Sequence, residues 1–289
     1  MAIIQTVGPA GAPMPIEHAA NDHDIPVRRI SGHDLNASLR EGFADFASKR
    51  GDLVFIGLIY PVVGFLVSMA AMNMSVWPMV FPLIAGISLL GPLVATGFYE
   101  LAKRRESGTD SSWFHFLDVL KSPSREEIAI VGAVLIGIFA LWLAAAGLVH
   151  AAFFGNVIRQ PSFNHFIQQV LTTPQGWGMI IVGNLVGLCF AVVVLALSVV
   201  SLPMLVDREV SAGTAIRTSL RAFRQNKGVM LRWGLTVAVL LILGSIPFFV
   251  GLAVVLPVLG YATWHLYTRL IDRSALPSSQ DDSARFKRP

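Results

Sequence analysis

Residues 229–270 read VMLRWGLTVAVLLILGSIPFFVGLAVVLPVLGYATWHLYTRL, an apolar run of 42 residues. As one straight α-helix, at about 1.5 Å per residue, it would reach roughly 60 Å, twice the core of a bilayer. Gly244, Ser245, Pro247 and Gly251 mark its middle. The run therefore reads as a tight hairpin of two spans, about 229–246 and 249–270. Four more segments are long and apolar enough to cross: 53–72, 79–101, 128–150 and 178–206. The expected fold is all-α, a polytopic membrane bundle of six transmembrane helices.

Charge tests that threading. Of the 22 Lys and Arg residues, all but Arg159 fall on one side of the six spans. Basic loops resist translocation, which assigns that side, and with it both termini, to the cytoplasm. Five spans would carry Arg269, Arg273, Arg285, Lys287 and Arg288 outside, so the hairpin is favoured over a single long helix. The expected topology is multi-pass, with the basic loops inside.

The composition agrees. With 54% apolar and only 14% charged residues, the chain is far from the soluble norm of about 25% charged. Its basic residues cluster beside apolar spans. Attraction to anionic headgroups, about 1 kcal/mol per basic residue near the surface, explains that placement better than nucleic acid does. Cys189 is the sole cysteine and sits in an apolar run, which leaves no disulfide framework and no thiol-rich metal site. Residues 1–30 hold Pro9, Pro13, Pro15 and Pro26 without an apolar core of a signal peptide, so the first span is expected to serve as its own insertion signal. Residues 1–30 and 273–289 are expected to be disordered cytoplasmic tails around a membrane domain at 31–272.

Short amphipathic helices are expected beside the spans. Leu35, Leu39, Phe43 and Phe46 share one helical face, with Arg40, Glu41, Asp45 and Lys49 elsewhere. Ile216, Leu220 and Phe223 repeat the pattern beside a basic stripe of Arg217, Arg221, Arg224 and Lys227. Aligning Gly51 with Gly228 also pairs Phe46 with Phe223 and Arg40 with Arg217, a weak internal repeat. Weaker relatives lie at 113–120 and 163–171. Such helices either anchor the chain at the interface or offer a surface to lipid or to a membrane protein partner.

Polar groups inside the spans are few. Glu100 follows Tyr99 near the inner end of the second span, and His265 and Tyr267 lie near the inner end of the sixth. They are read either as ordinary interfacial residues or as a small polar site at the cytoplasmic mouth, with Glu100 beside His265. Asn184 is a mid-span amide, more often an interhelical hydrogen-bond partner than a ligand contact. His150 reads as an outer-interface residue. Pro61, Pro82, Pro92, Pro203 and Pro257 favour kinks, and Gly86, Gly91, Gly97, Gly132, Gly137, Gly183 and Gly187 favour close helix packing. No P-loop, HExxH, GxSxG or CxxC pattern occurs. No catalytic residue, metal ligand or cofactor is assigned.

Three stretches carry a family resemblance: Gly91-Pro92 on to Gly97-Phe98-Tyr99-Glu100-Leu101-Ala102-Lys103-Arg104, Leu202-Pro203-Met204-Leu205-Val206-Asp207-Arg208 on to Trp233-Gly234, and Leu256 to Tyr267. Across roughly residues 30 to 272 the chain resembles the predicted integral membrane proteins of domain-of-unknown-function family 2189 (DUF2189). The family is bacterial, and the resemblance implies an inner-membrane protein of six membrane helices with no particular activity. Some relatives carry a cytochrome c oxidase subunit label. Haem and copper ligation would need several His on facing spans, whereas this chain offers only His150 and His265, both at helix ends. The residues thus favour a structural or interaction protein with a basic cytoplasmic rim. The alternative is a small-solute transporter or channel with a site among kinked helices.

Overall fold

Apolar runs in hydrocarbon must satisfy their backbone internally, and helices do so within a single segment. The computed structural model describes residues 25–48, 77–155, 163–246 and 250–276, with Val62 and Met69 as single positions. The expected span at 53–72, Pro247, Arg159 and most of both tails lie outside the described residues. Within them the order is α1 (Gly32–Ser48), α2 (Trp77–Leu89), α3 (Gly91–Glu106), a 3-10 helix (Trp113–Lys121), α4 (Arg125–Phe154), α5 (Phe163–Thr172), α6 (Pro174–Ser198), α7 (Ser201–Asp207), α8 (Ala212–Gln225), α9 (Lys227–Ser245), α10 (Leu252–Leu270) and a last 3-10 turn (Arg273–Ala275). One isolated bridge joins Val27 to Ile271.

Among the described residues, four segments are long and apolar enough to cross a membrane: Pro78–Glu106, Arg125–Phe154, Pro174–Asp207 and Lys227–Ser245. The 42-residue run divides as its glycines suggest. A side chain on Gly251 would stand 2.7 Å from the Gly244 carbonyl oxygen, so only glycine lets α9 and α10 turn back this tightly. α10 does not join the four. Tyr261, Thr263, His265, Tyr267 and Arg269 make its second half too polar, and that half is buried in protein.

Two of the four segments are broken where proline removes a donor. The helix expected over 79–101 restarts after Leu90, with Pro92 in the first turn of α3. The one expected over 178–206 breaks at Val199–Val200, just before Pro203 in α7. Ser219 of α8 seals that break: its hydroxyl donates to the Ala196 carbonyl at 2.8 Å and accepts from the Val200 N–H at 3.2 Å.

α10 is the central helix. Gly260 lets it approach Phe98 of α3, whose ring meets Phe116 edge-on at 4.9 Å. α1 lies along α10 through Gly42, where an added Cβ would come within 2.5 Å of the Ala262 backbone nitrogen. The buried line of α1 is therefore Leu35, Ser38, Gly42 and Phe46. Phe43, expected on that apolar face, is 56% exposed. The face that the sequence leaves either as an interfacial anchor or as a lipid or partner surface is turned in part to α10, because a glycine lets backbones touch where a phenylalanine could not.

The two ends of the described chain meet. The Arg28 N–H donates to the Leu270 carbonyl (2.7 Å), the Asp272 N–H to the Pro26 carbonyl (3.2 Å), and Arg28 pairs with Asp272 at 3.1 Å. Asn226 completes the strap, accepting from the Ile30 N–H at 2.9 Å and donating to the Arg28 carbonyl at 3.1 Å. Residues 26–30, at the end of the expected N-terminal tail, thus pair with Asn226 and with residues 270–272. Far from these contacts, α4, α6 and α9 present exposed Leu148, Ile181, Leu188, Leu235 and Ile242. Such a surface suits hydrocarbon rather than water.

Candidate functional site

Ion pairs gather where α1, the end of α3, the 3-10 helix, α7 and the end of α10 come together, in three groups. In the first, α1 offers Glu41 and Asp45 one turn apart, and α10 offers His265 and Arg269 at the same spacing. His265 Nε2 lies 2.7 Å from Asp45, Arg269 donates to Glu41 at 2.6 Å, and Arg105 of α3 reaches Asp45 at 2.9 Å. These rungs clasp α1 to α10 along one flank of the Gly42 contact. The Arg269 guanidinium holds the Glu41 carboxyl below the usual carboxylate range.

The second group joins α3 to the 3-10 helix. Arg104 bridges two carboxylates, Glu100 at 2.9 Å and Asp118 at 3.0 Å. Asp118 also takes His115 Nδ1 at 2.6 Å and Lys121 at 3.0 Å. Hydrogen bonding by His115, then Lys121, pulls the Asp118 carboxyl down to about 2. The third group is the most buried. Tyr267 donates to Asp207 at 2.9 Å, the Trp264 indole donates to Glu106 at 3.1 Å, and Arg273 pairs with Glu106. Lys103 closes the helix end by donating to the Val206 carbonyl at 2.8 Å.

The residues singled out from sequence thus take separate places. Glu100 belongs to the Arg104–Asp118 group, His265 to the α1 clasp and Tyr267 to Asp207, while Tyr99 is buried at 2% exposure in the core. Asn184 joins none of them: it is exposed on α6, its Nδ2 donating to the Ile180 carbonyl one turn back at 2.8 Å. On α8, Arg217, Arg224 and the following Lys227 are exposed, whereas Arg221 turns inward to donate to the Ile25 carbonyl at 2.5 Å. His150 is buried, with neither ring nitrogen hydrogen-bonded.

Sequence reading missed Glu41, Asp45, Arg269 and Glu106 as partners. A signal was present for the first three. An acidic i, i+4 pair on one helix and a basic i, i+4 pair on another are complementary ladders. Chemically, the carboxylates of this end are occupied by cations and donors, an arrangement that fixes helices rather than one poised to move protons. Among the described residues no group of three or more His, Cys, Asp or Glu could hold a metal ion.

No curated protein and no solved structure matches the chain. A family match covers α2 from residue 80 to the end of α7, and so takes in Glu100, Arg104, Asp118 and Asp207 but neither α1 nor α10. It includes the first of the three resembling stretches and the start of the second. Residues 80–207 match the family described as predicted integral membrane protein (DUF2189), the family that the sequence motifs resemble.

Proposed function

We propose that this integral membrane protein has a structural or interaction role: a six-span bundle of the inner membrane, both ends cytoplasmic, whose basic rim contacts anionic headgroups or a membrane protein partner. Four candidate spans stand among the described residues, and the reading adds the apolar run at 53–72 and the second half of the 229–270 hairpin as the further two crossings. The strap between residues 26–28 and 270–272 supports an even number, since it brings the two ends of the chain to one side. The observation that carries the rim is a contrast within the polar end. Glu41, Asp45 and Asp118 are turned into ion pairs with neighbouring elements, while Arg224 and Lys227 lie exposed at the end of α8. That leaves a net positive outer surface beside the apolar faces, the arrangement that draws anionic lipid.

The transporter alternative sets its site among the kinked helices near Glu100, Asn184 and His265, and the partners of these three, Arg104, the Ile180 carbonyl and Asp45, lend it no support. The test is retention of lipid. Purified protein is reconstituted in bilayers of equal phosphatidylcholine and phosphatidylglycerol, extracted gently and weighed by native mass spectrometry. Wild type should keep several-fold more phosphatidylglycerol than a variant carrying Arg217→Gln, Arg224→Gln and Lys227→Gln. Equal retention by the two would sink the rim.

A further inference from the structure

Asn184 stands within α6, between Pro174 and Ser198, on the surface that suits hydrocarbon. One N–H is spent on the Ile180 carbonyl of its own helix. The amide keeps a second N–H and further capacity on its oxygen, which lipid tails cannot satisfy. Its neighbours on the helix are informative. Trp177, Ile181, Asn184, Leu188 and Ala191 follow one another at spacings of four, three, four and three, and all five are exposed, Trp177 at 54%, Ile181 at 59% and Leu188 at 60%. That is the alternating spacing of a coiled-coil seam. The inward side of α6 is a different one: Gly187 lies against Trp142 and Gly183 faces Val149, both of α4. The Trp177 indole already donates to the Leu171 carbonyl at 3.0 Å, so Asn184 is the polar group of the seam with capacity left over.

We propose that this seam pairs with the same seam of a second copy, α6 parallel to α6, with the two Asn184 amides hydrogen-bonded across a twofold axis. An amide is its own complement, a donor and an acceptor on one group, so two copies satisfy what neither lipid nor a purely apolar partner can. Copies threaded alike in one membrane share an orientation. A twofold axis along the membrane normal therefore brings each residue to its own counterpart at equal depth. A single asparagine in such a seam also fixes register, because any shift buries the amide against leucine. This interface lies on the apolar flank and is separate from the basic rim, so either can fail without the other.

The sole cysteine, Cys189, is exposed one residue off the seam, which gives a clean background once Cys189→Ala is made. Single cysteines are then placed at Ile181, Leu188 and Ala191, on the seam, and at Val182 and Val193, off it. Purified protein in proteoliposomes is oxidised mildly. Disulfide-linked dimers should dominate at the first three positions and be scarce at the last two. Equal yields at all five, or no dimer at the seam positions, overturns the proposal. In a dilution series read by energy transfer, Asn184→Leu should weaken self-association about threefold to thirtyfold. Helix content should stay the same, since the side chain is exposed. An unchanged dissociation constant removes the amide from the interface.

Discussion

α1 and α8 begin from one pattern and end in different contacts. Aligned, they pair Phe46 with Phe223 and Arg40 with Arg217, and each precedes a long apolar segment. α1 buries Leu35, Ser38, Gly42 and Phe46 and is held to α10 by charged rungs along one flank of a backbone-to-backbone contact. α8 buries Ala212, Ala215, Thr218, Ser219 and Ala222 and is held to the α6–α7 break by one hydroxyl. Amphipathic period decides that a face will be buried. The size and polarity of the residues on that face decide what it is buried against: a glycine admits another backbone, and a serine admits a backbone with unpaired groups.

The largest effect that could break this comparison is at the paired phenylalanines. Phe46 is 7% exposed, whereas Phe223 is only partly buried. Phe46→Ala should destabilise by about 3–5 kcal/mol, and Phe223→Ala by clearly less, both followed by unfolding of detergent-solubilised protein. Equal losses would mean that the two helices do the same job.

Next come the two small residues. Gly42→Val sets a Cβ against the Ala262 backbone, which cannot swing aside, and should cost about 1–3 kcal/mol. Ser219→Ala leaves the buried Val200 N–H unpaired and should cost about 1–3 kcal/mol as well. Hydrogen exchange separates them. The first should loosen amides of α1, the second those of residues 199–204. Loosening of α1 by Ser219→Ala would contradict the assignment.

Much of this architecture could be read from the chain itself. The length of 229–270 and its glycines foretold the α9–α10 turn, and the periods of 35–46 and 216–223 foretold two amphipathic helices. Of the prolines expected to favour kinks, those at 92 and 203 stand just after breaks, whereas Pro82 and Pro257 lie inside continuous α2 and α10. What could not be read is pairing between distant segments. Asp45 and His265 are 220 residues apart, and nothing local to either names the other. Asn226 looks like an ordinary turn residue, yet it holds the segment before α1 through Arg28 and Ile30. Phe43 shares an apolar face with Leu35, Leu39 and Phe46 when hydrophobicity alone is counted, but the tight contact at Gly42 sets the rotation of the helix.

Acid should distinguish the two attachments. Glu41 titrates below its ordinary 4.5 because Arg269 donates to it. A carboxylate depressed in the folded state stabilises above its unfolded value, and the benefit drains away as pH falls through about 4.5 and on through the folded value. The Ser219 contacts contain no ionisable group. Between pH 6 and 3, exchange in α1 should therefore rise relative to residues 199–204, and Glu41→Gln should flatten that rise. A parallel rise in both regions, unaltered by Glu41→Gln, would show that the acid acts elsewhere.

The smallest expected effect is the sharpest check on the rotation of α1. Phe43 and Phe46 are one turn apart, equal in chemistry, and were placed on the same face by pattern alone. Seated by Gly42 against Ala262, the helix carries Phe46 inward and leaves Phe43 at 56% exposure. Phe43→Ala should then shift stability by no more than about 0.5 kcal/mol, against several for Phe46→Ala in the same assay. A cost at Phe43 comparable with that at Phe46 would require α1 to be rolled toward the face its hydrophobic pattern suggested. The rungs from Glu41 and Asp45 to α10 could not survive that roll, because both stand on the flank of the contact line opposite Phe43 and would turn away from α10 as Phe43 turned in.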